Sequence, residues 1–88
     1  MGSLKFSDEA WEAFARLIDE DRKMRKKIFS ILEDIKRNGY QGIGKPEPLT
    51  GNFSGYWSRR IDEKNRIIYK MNGDIAEIEQ CGSHYGDK

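Results

Sequence analysis

Cysteine and histidine are nearly missing from this chain of 88 residues, which has one of each, Cys81 and His84. A single cysteine excludes an internal disulfide, and one cysteine with one histidine is too small a ligand set for a zinc site. Proline is almost as scarce: the two present, Pro46 and Pro48, flank Glu47. No apolar run approaches the ~20 residues of a membrane span, and no stretch has the make-up of a signal-peptide core. The expectation is a cytoplasmic protein without a membrane partner. Repeats, linkers and low-complexity segments are absent too, so residues 1–88 are expected to form a single domain, near the lower size limit for one hydrophobic core.

Charge is abundant instead. Charged residues make up 35% of the chain and hydrophobic ones 36%, yet the net charge is only +1. The near-neutral total hides an uneven distribution. Residues 1–20 carry a balance of −3, residues 21–45 a balance of +5, residues 46–72 a balance of +2, and residues 73–88 return to −3. A positive middle is the footprint expected of a polyanion-binding surface, and it is equally the composition of a solvated lysine-rich helix face.

The pattern of apolar residues predicts an α+β fold. Leu4-Lys5-Phe6 reads as a short strand. Ser7 then supplies an N-cap hydroxyl, and Asp8 and Glu9 place negative charge in the first helical turn. Trp11, Phe14, Leu17 and Ile18 recur on one helical face. A second helix starts near Asp21, buries Met24, Ile28, Ile31, Leu32 and Ile35, and ends at Asn38-Gly39. Glycines and the two prolines punctuate the connection that follows. Strands are predicted over 56–61, 66–71 and 75–81, with Asn72-Gly73 as a two-residue hairpin turn between the last two. The helical hairpin is expected to cover one face of a small, mainly antiparallel sheet.

Three features have the chemistry to move protons and hold a phosphate. Pro46 and Pro48 hold Glu47 on a stiff, extended segment, which pre-orients a carboxylate for general-base work; the alternative is a stiffened loop with an exposed glutamate. Arg66 falls on the face of its strand opposite the apolar Ile67, Tyr69 and Met71, where a guanidinium can grip two phosphate oxygens. If Asn72-Gly73 forms the turn, Glu79 lies across from Arg66 and an ion pair is the competing reading. In the preceding strand Trp57, Arg59 and Ile61 share one side, and Tyr56, Ser58 and Arg60 the other.

His84 titrates near neutral pH without help, and Tyr85 offers a ring for stacking on an unpaired base. Unbroken alternation would put His84 on the face opposite Arg66, so the two can serve one site only if the strand breaks or bulges near Gly82-Ser83. Regular pairing is therefore predicted to stop by about Gly82. A Cys81–His84 nucleophilic pair is the other possibility at this end of the chain, set against Cys81 as a packed strand residue.

Gly42-Ile43-Gly44-Lys45-Pro46-Glu47-Pro48-Leu49, Ser54-Gly55-Tyr56-Trp57-Ser58-Arg59-Arg60-Ile61, Asn65-Arg66-Ile67-Ile68-Tyr69 and His84-Tyr85 together resemble the Txe/YoeB family. These are toxins of bacterial toxin–antitoxin modules within the RelE/ParE superfamily. The resemblance implies a RelE-like fold related to small microbial ribonucleases. It also implies an endoribonuclease that cuts mRNA in the A site of the 70S ribosome by metal-independent acid–base chemistry, with no cofactor. Position by position, Glu47 matches the family's general base, Arg66 its phosphate-binding arginine, His84 its general acid and Tyr85 its terminal catalytic tyrosine. Lys45, Arg59 and Arg60 match residues that approach RNA. The chain departs from the family in having Gly82-Ser83 before the His-Tyr pair and Gly86-Asp87-Lys88 after it. The partners implied are mRNA on the ribosome and a YefM/Phd-type antitoxin, in a homodimer or a toxin–antitoxin heterocomplex. Two other readings share the fold: a non-enzymatic, ParE-like gyrase inhibitor and an RNA-binding module without turnover.

Overall fold

Side-chain caps set both helices in place. The computed structural model describes residues 2–83. After a first strand, β1 (Ser3–Phe6), Ser7 caps helix α1 (Asp8–Glu20). Its Oγ accepts the Ala10 N–H at 3.1 Å and donates to the Glu79 carbonyl at 3.0 Å, tying the helix start to the last strand. Asp21 ends α1 and caps helix α2 (Arg22–Asn38), its Oδ1 accepting the Met24 N–H at 3.0 Å. Caps of this kind contribute about 1 kcal/mol each. Lys36 and Arg37 sit in the last turn of α2, where the helix dipole favours positive charge. Gly39 follows at φ +63° with its N–H bonded to the Ile35 carbonyl, as the Asn38-Gly39 pair predicted.

The remaining elements are β2 (Glu47–Pro48), a 3-10 turn (Gly51–Phe53), β3 (Trp57–Arg60), β4 (Arg66–Asn72) and β5 (Ile75–Ser83). They form one five-stranded sheet in the order β1-β5-β4-β3-β2. β1 runs parallel to β5 and every other pair is antiparallel. The result is the α+β architecture expected, with a parallel edge strand added. Both helices cover one face, where Phe14, Ile28, Leu32 and Ile35 bury their side chains with Ile67, Tyr69 and Ile78 of the sheet. Full burial of side chains this size contributes about 1.5–3 kcal/mol apiece. Among the described residues no helix is long and apolar enough to cross a membrane.

Two details differ from the sequence pattern. Trp11 is 55% exposed, because Ala10 and Phe14 take the inward positions of α1 and leave Trp11 on the margin. There it packs edge-on against Phe6, with centroids 5.7 Å apart. The hairpin loop is Gly73-Asp74 rather than Asn72-Gly73, so Asn72 pairs with Ile75. Gly73 occupies the first loop position at φ +64°, where glycine carries no steric penalty and asparagine would.

Candidate functional site

Strand register assembles the site on the sheet face away from the helices. Directly opposed residues in antiparallel strands point to the same face. Glu47 opposes Ser58, Ser58 opposes Ile68, and Ile68 opposes Gln80. One step along, Arg60 opposes Arg66, and Arg66 opposes Ser83. Glu47, Arg60 and Arg66 therefore share a face. With strands about 4.8 Å apart and about 3.4 Å of rise per residue, the backbones at Glu47 and Arg66 are roughly 12 Å apart. That gap suits a long guanidinium side chain and a carboxylate converging on something placed between them.

The ion pair of Arg66 with Glu79, the competing reading, is not formed. Moving the loop by one residue shifts the pairing by two, and bulges between Arg66/Ile67 and Ile68/Tyr69 shift it by one more each. The residue opposite Arg66 becomes Ser83, the neighbour of His84. The irregularity between Arg66 and Ile67 falls where the sequence demanded a break: Gly82 has φ +85°, and a Cβ there would collide with Leu17 Cδ1 of α1. Only glycine meets both conditions. Pairing does not stop there, however, but resumes at Ser83. His84 and Tyr85 themselves lie outside the described residues.

Glu47 stands exposed on the two-residue edge strand β2. The strand is anchored beyond its end, where Leu49 is buried and its N–H bonds the Tyr56 carbonyl at 2.9 Å. Lys45 is exposed and takes positive φ, +51°, just before Pro46. Arg60 is half-buried; its backbone N–H donates to the Gly44 carbonyl, while its side-chain Nε is shielded from solvent without a hydrogen-bond partner. Ser58 Oγ, on the same face, is likewise buried and unpartnered.

Arg59 corrects the sequence expectation: it is fully buried, at 0% exposure, and has no surface to offer RNA. It points into the helix-covered side, as its place with Trp57 and Ile61 dictates. Its Nε donates to Tyr69 Oη at 3.0 Å, and Nη1 donates to Asp34 Oδ2 at 2.7 Å and to the Ile43 carbonyl at 2.8 Å. Nη2 donates to the carbonyls of Gly39 and Gln41, each at 2.8 Å. Tyr69 Oη in turn donates to the Gly39 carbonyl at 2.8 Å, and Asp34 Oδ2 accepts the Ile43 N–H at 3.1 Å. A Cβ on Gly42 would run into the Asp34 carboxylate. One guanidinium thus ties α2, β4 and the 39–43 loop together, and that loop leads straight into Lys45 and Glu47. Asp34, Tyr69 and Gly42 were not singled out from the sequence.

The electrostatics follow from these contacts. Burial alone would raise the Asp34 pKa, but hydrogen bonds from Arg59, the Ile43 N–H and Asn38 outweigh it and hold the carboxyl below its ordinary value of 3.8. Burial pushes the Tyr69 hydroxyl up despite Arg59 beside it. Burial also pushes the Cys81 thiol up to about 12, so it is a packed core residue and not a thiolate nucleophile at neutral pH.

A family model described as the YoeB-like toxin of bacterial type II toxin–antitoxin systems matches residues 6–85. The Toxin YoeB of Streptomyces coelicolor is 44% identical over 82 residues, spanning 93% of this chain and 98% of that protein. The toxin in a heterotetrameric YoeB–YefM complex from Staphylococcus aureus superposes with a TM-score of 0.86 at 41% identity, covering 97% of this chain and 99% of the other. A YoeB dimer from the same organism gives a TM-score of 0.86 at 41% identity, with 96% and 98% covered. A likeness of this level and extent reaches across both helices, the sheet and the 39–47 loop, and the chain belongs to the family of YoeB-like toxins of type II toxin–antitoxin systems.

Proposed function

We propose that this toxin is a ribosome-dependent endoribonuclease that cuts mRNA in the A site without a metal or cofactor. The observation that carries the reading is the register that puts Glu47, Arg60 and Arg66 on the sheet face away from the helices and pairs Arg66 with Ser83, the residue before His84. In the proposed reaction Glu47 takes the proton from a ribose 2′-OH, and the oxygen attacks the adjacent phosphorus. Arg66 offsets the charge that grows on the non-bridging oxygens, an interaction stronger in the transition state than before it. Protonated His84 donates to the departing 5′-oxygen, leaving a 2′,3′-cyclic phosphate. Tyr85 stacks on or orients the nucleotide, and Arg60 and Lys45 hold flanking phosphates. Arg59 has no contact role; it holds the loop that presents Glu47.

Translating 70S ribosomes in the cytoplasm are the proposed place of action. A YefM/Phd-type antitoxin is the proposed regulator, because a solved relative that is 41% identical to this chain is bound to YefM. A homodimer is proposed on the parallel with the dimeric relative. The test is to add the protein to translating ribosomes and map RNA ends. Cuts confined to translated codons, absent with Glu47→Ala and His84→Ala, support the reading. Intact message with gyrase poisoning, or RNA binding without ends, sinks it.

A further inference from the structure

The first two turns of α2 read Arg22-Lys23-Met24-Arg25-Lys26-Lys27, and the reaction above uses none of these cations. Lys26 and Lys27 border a groove of about 260 Å³ between α2 and the end of β3, with Ile31, Ile43 and Ile61 as its floor. It continues into a hollow of about 450 Å³ reached by Lys45. Lys27, Gly44, Arg60 and Ile61 line both, so the two are one channel. The channel rounds the edge of the sheet at a point where β3 has no strand neighbour on its outer side: β2 pairs only with Trp57 and Ser58, and the Arg60 N–H is bonded to the Gly44 carbonyl instead.

Four cations line this channel: Lys26, Lys27, Lys45 and Arg60. Among the described residues none of them forms an ion pair. Arg60 Nε is in addition shielded from water and unpartnered, a state that an arriving anion resolves. The two carboxylates at the channel's end, Asp62 and Glu63, offset part of this charge, and Asp62 is attracted to Lys27, but four cations against two carboxylates leave the channel positive. Asp62 Oδ1 is taken up by the N–H groups of Lys64 and Asn65 at 2.8 and 2.7 Å, closing the tight turn before β4.

We propose that this channel is a second RNA subsite, in which Arg60, Lys45, Lys27 and Lys26 take successive backbone phosphates of a single strand leaving the cleavage face. The inference rests on the nuclease reading above and extends it to α2. Continuity favours RNA over an acidic polypeptide: Arg60 opposes Arg66 in register, so a strand with one phosphate at Arg66 meets Arg60 with the next. A row of cations beside an apolar floor suits evenly spaced phosphates with riboses lying against Ile43 and Ile61, and needs no base-specific donor.

The experiment uses a fully 2′-O-methylated RNA oligonucleotide, which has no 2′-OH to attack and so reports binding without turnover. Its affinity for the full chain is measured by fluorescence anisotropy against salt. Each phosphate neutralised on a single strand contributes about −0.7 to the slope of log K against log salt. Lys26→Gln with Lys27→Gln should flatten that slope by about 1.4, and Lys26→Glu with Lys27→Glu should weaken binding at least tenfold. On ribosomes the same doubles should raise KM and leave kcat near wild type. Lys5→Glu, exposed on the edge strand at the far end of the sheet, should change neither. An unchanged slope and affinity in both doubles overturns the subsite, as does a loss confined to binding of poly-glutamate. A wild-type protein that binds RNA through these lysines but never cuts it sinks the nuclease reading and leaves the subsite standing.

Discussion

Removing the Asp34 carboxylate isolates the central electrostatic element of the fold. Arg59 is fully buried and the Asp34 side chain is 18% exposed, with 2.7 Å between Nη1 and Oδ2. Deleting one partner of a buried pair typically costs about 3–5 kcal/mol, because the other charge stays behind uncompensated. Four acceptors remain for Arg59 after Asp34→Ala, namely Tyr69 and the carbonyls of Gly39, Gln41 and Ile43. With those contacts kept and Asp34 partly wet, the lower end applies, about 3 kcal/mol. Against a total stability of about 5–15 kcal/mol for a domain, that is a large share. Arg59→Met should cost more than Asp34→Ala, since it strips the Gln41 and Ile43 carbonyls of their guanidinium donor and leaves the Asp34 carboxylate without its cation, while the Gly39 carbonyl keeps Tyr69 Oη. The reference is Glu33→Ala: its 3.7 Å contact with Lys36 is exposed, with Glu33 at 61%, and such pairs contribute about 0–1 kcal/mol.

Urea titrations of the three variants measure these differences directly. Acid adds a second reading with a defined sign. The folded Asp34 pKa lies below the unfolded value of 3.8, so its contribution is full above that value and is lost as pH falls through the folded pKa. The gap between wild type and Asp34→Asn should therefore stay level from neutral pH down to about pH 5 and shrink below about pH 4. An Asp34→Ala variant no less stable than Glu33→Ala would refute the whole account of Arg59 as an internal tie.

Other outcomes are expected at separate points of the structure. Glu47→Ala and His84→Ala should each slow ribosomal cleavage by about 10²–10⁴-fold without changing the urea midpoint, as acid–base groups do. Gly42→Ala should destabilise the 39–43 loop by more than the ~1 kcal/mol typical of a point mutation, because its Cβ would meet the Asp34 carboxylate at a φ of +128°; hydrogen exchange at Gly42, Ile43 and Gly44 reads the loosening. Gly82→Ala should lower kcat more than KM, since it removes the bulge that sets the direction of the chain into His84. Cys81, buried and with its thiol pushed up to about 12, should resist a thiol reagent at pH 8 in folded protein and react at once in urea.

The helices and the apolar side of the sheet were legible because they rest on local rules. Ser7 and Asp21 cap where short polar residues precede an apolar stripe, and Ile28, Leu32 and Ile35 recur at helical spacing and are buried. Arg59 was read as an RNA contact, on likeness to an arginine pair that approaches RNA, and is instead buried on the side that it shares with Trp57 and Ile61 by strand parity. A buried arginine demands an acceptor network, and its members here, Asp34 in α2, Tyr69 in β4 and three loop carbonyls, are up to 25 residues from it in sequence. No local pattern brings such partners together.

Register shows the same limit on the other face. Alternation correctly placed Arg66 away from the core and correctly required a break near Gly82, yet it put Glu79 opposite Arg66. The difference is four residues, two from the displaced loop and one from each bulge. Bulges are set by packing: Ala76 and Ile78 face the core, and so does Cys81, an odd step from Ile78 that plain alternation forbids. The extra residue between the Tyr69–Ile78 and Ile68–Gln80 pairs restores Cys81 to the buried side. A second extra residue at Gly82, pressed against Leu17, turns the end of β5 back toward Arg66. The demands of the hydrophobic core on β5 thus determine which residue of the strand stands opposite Arg66.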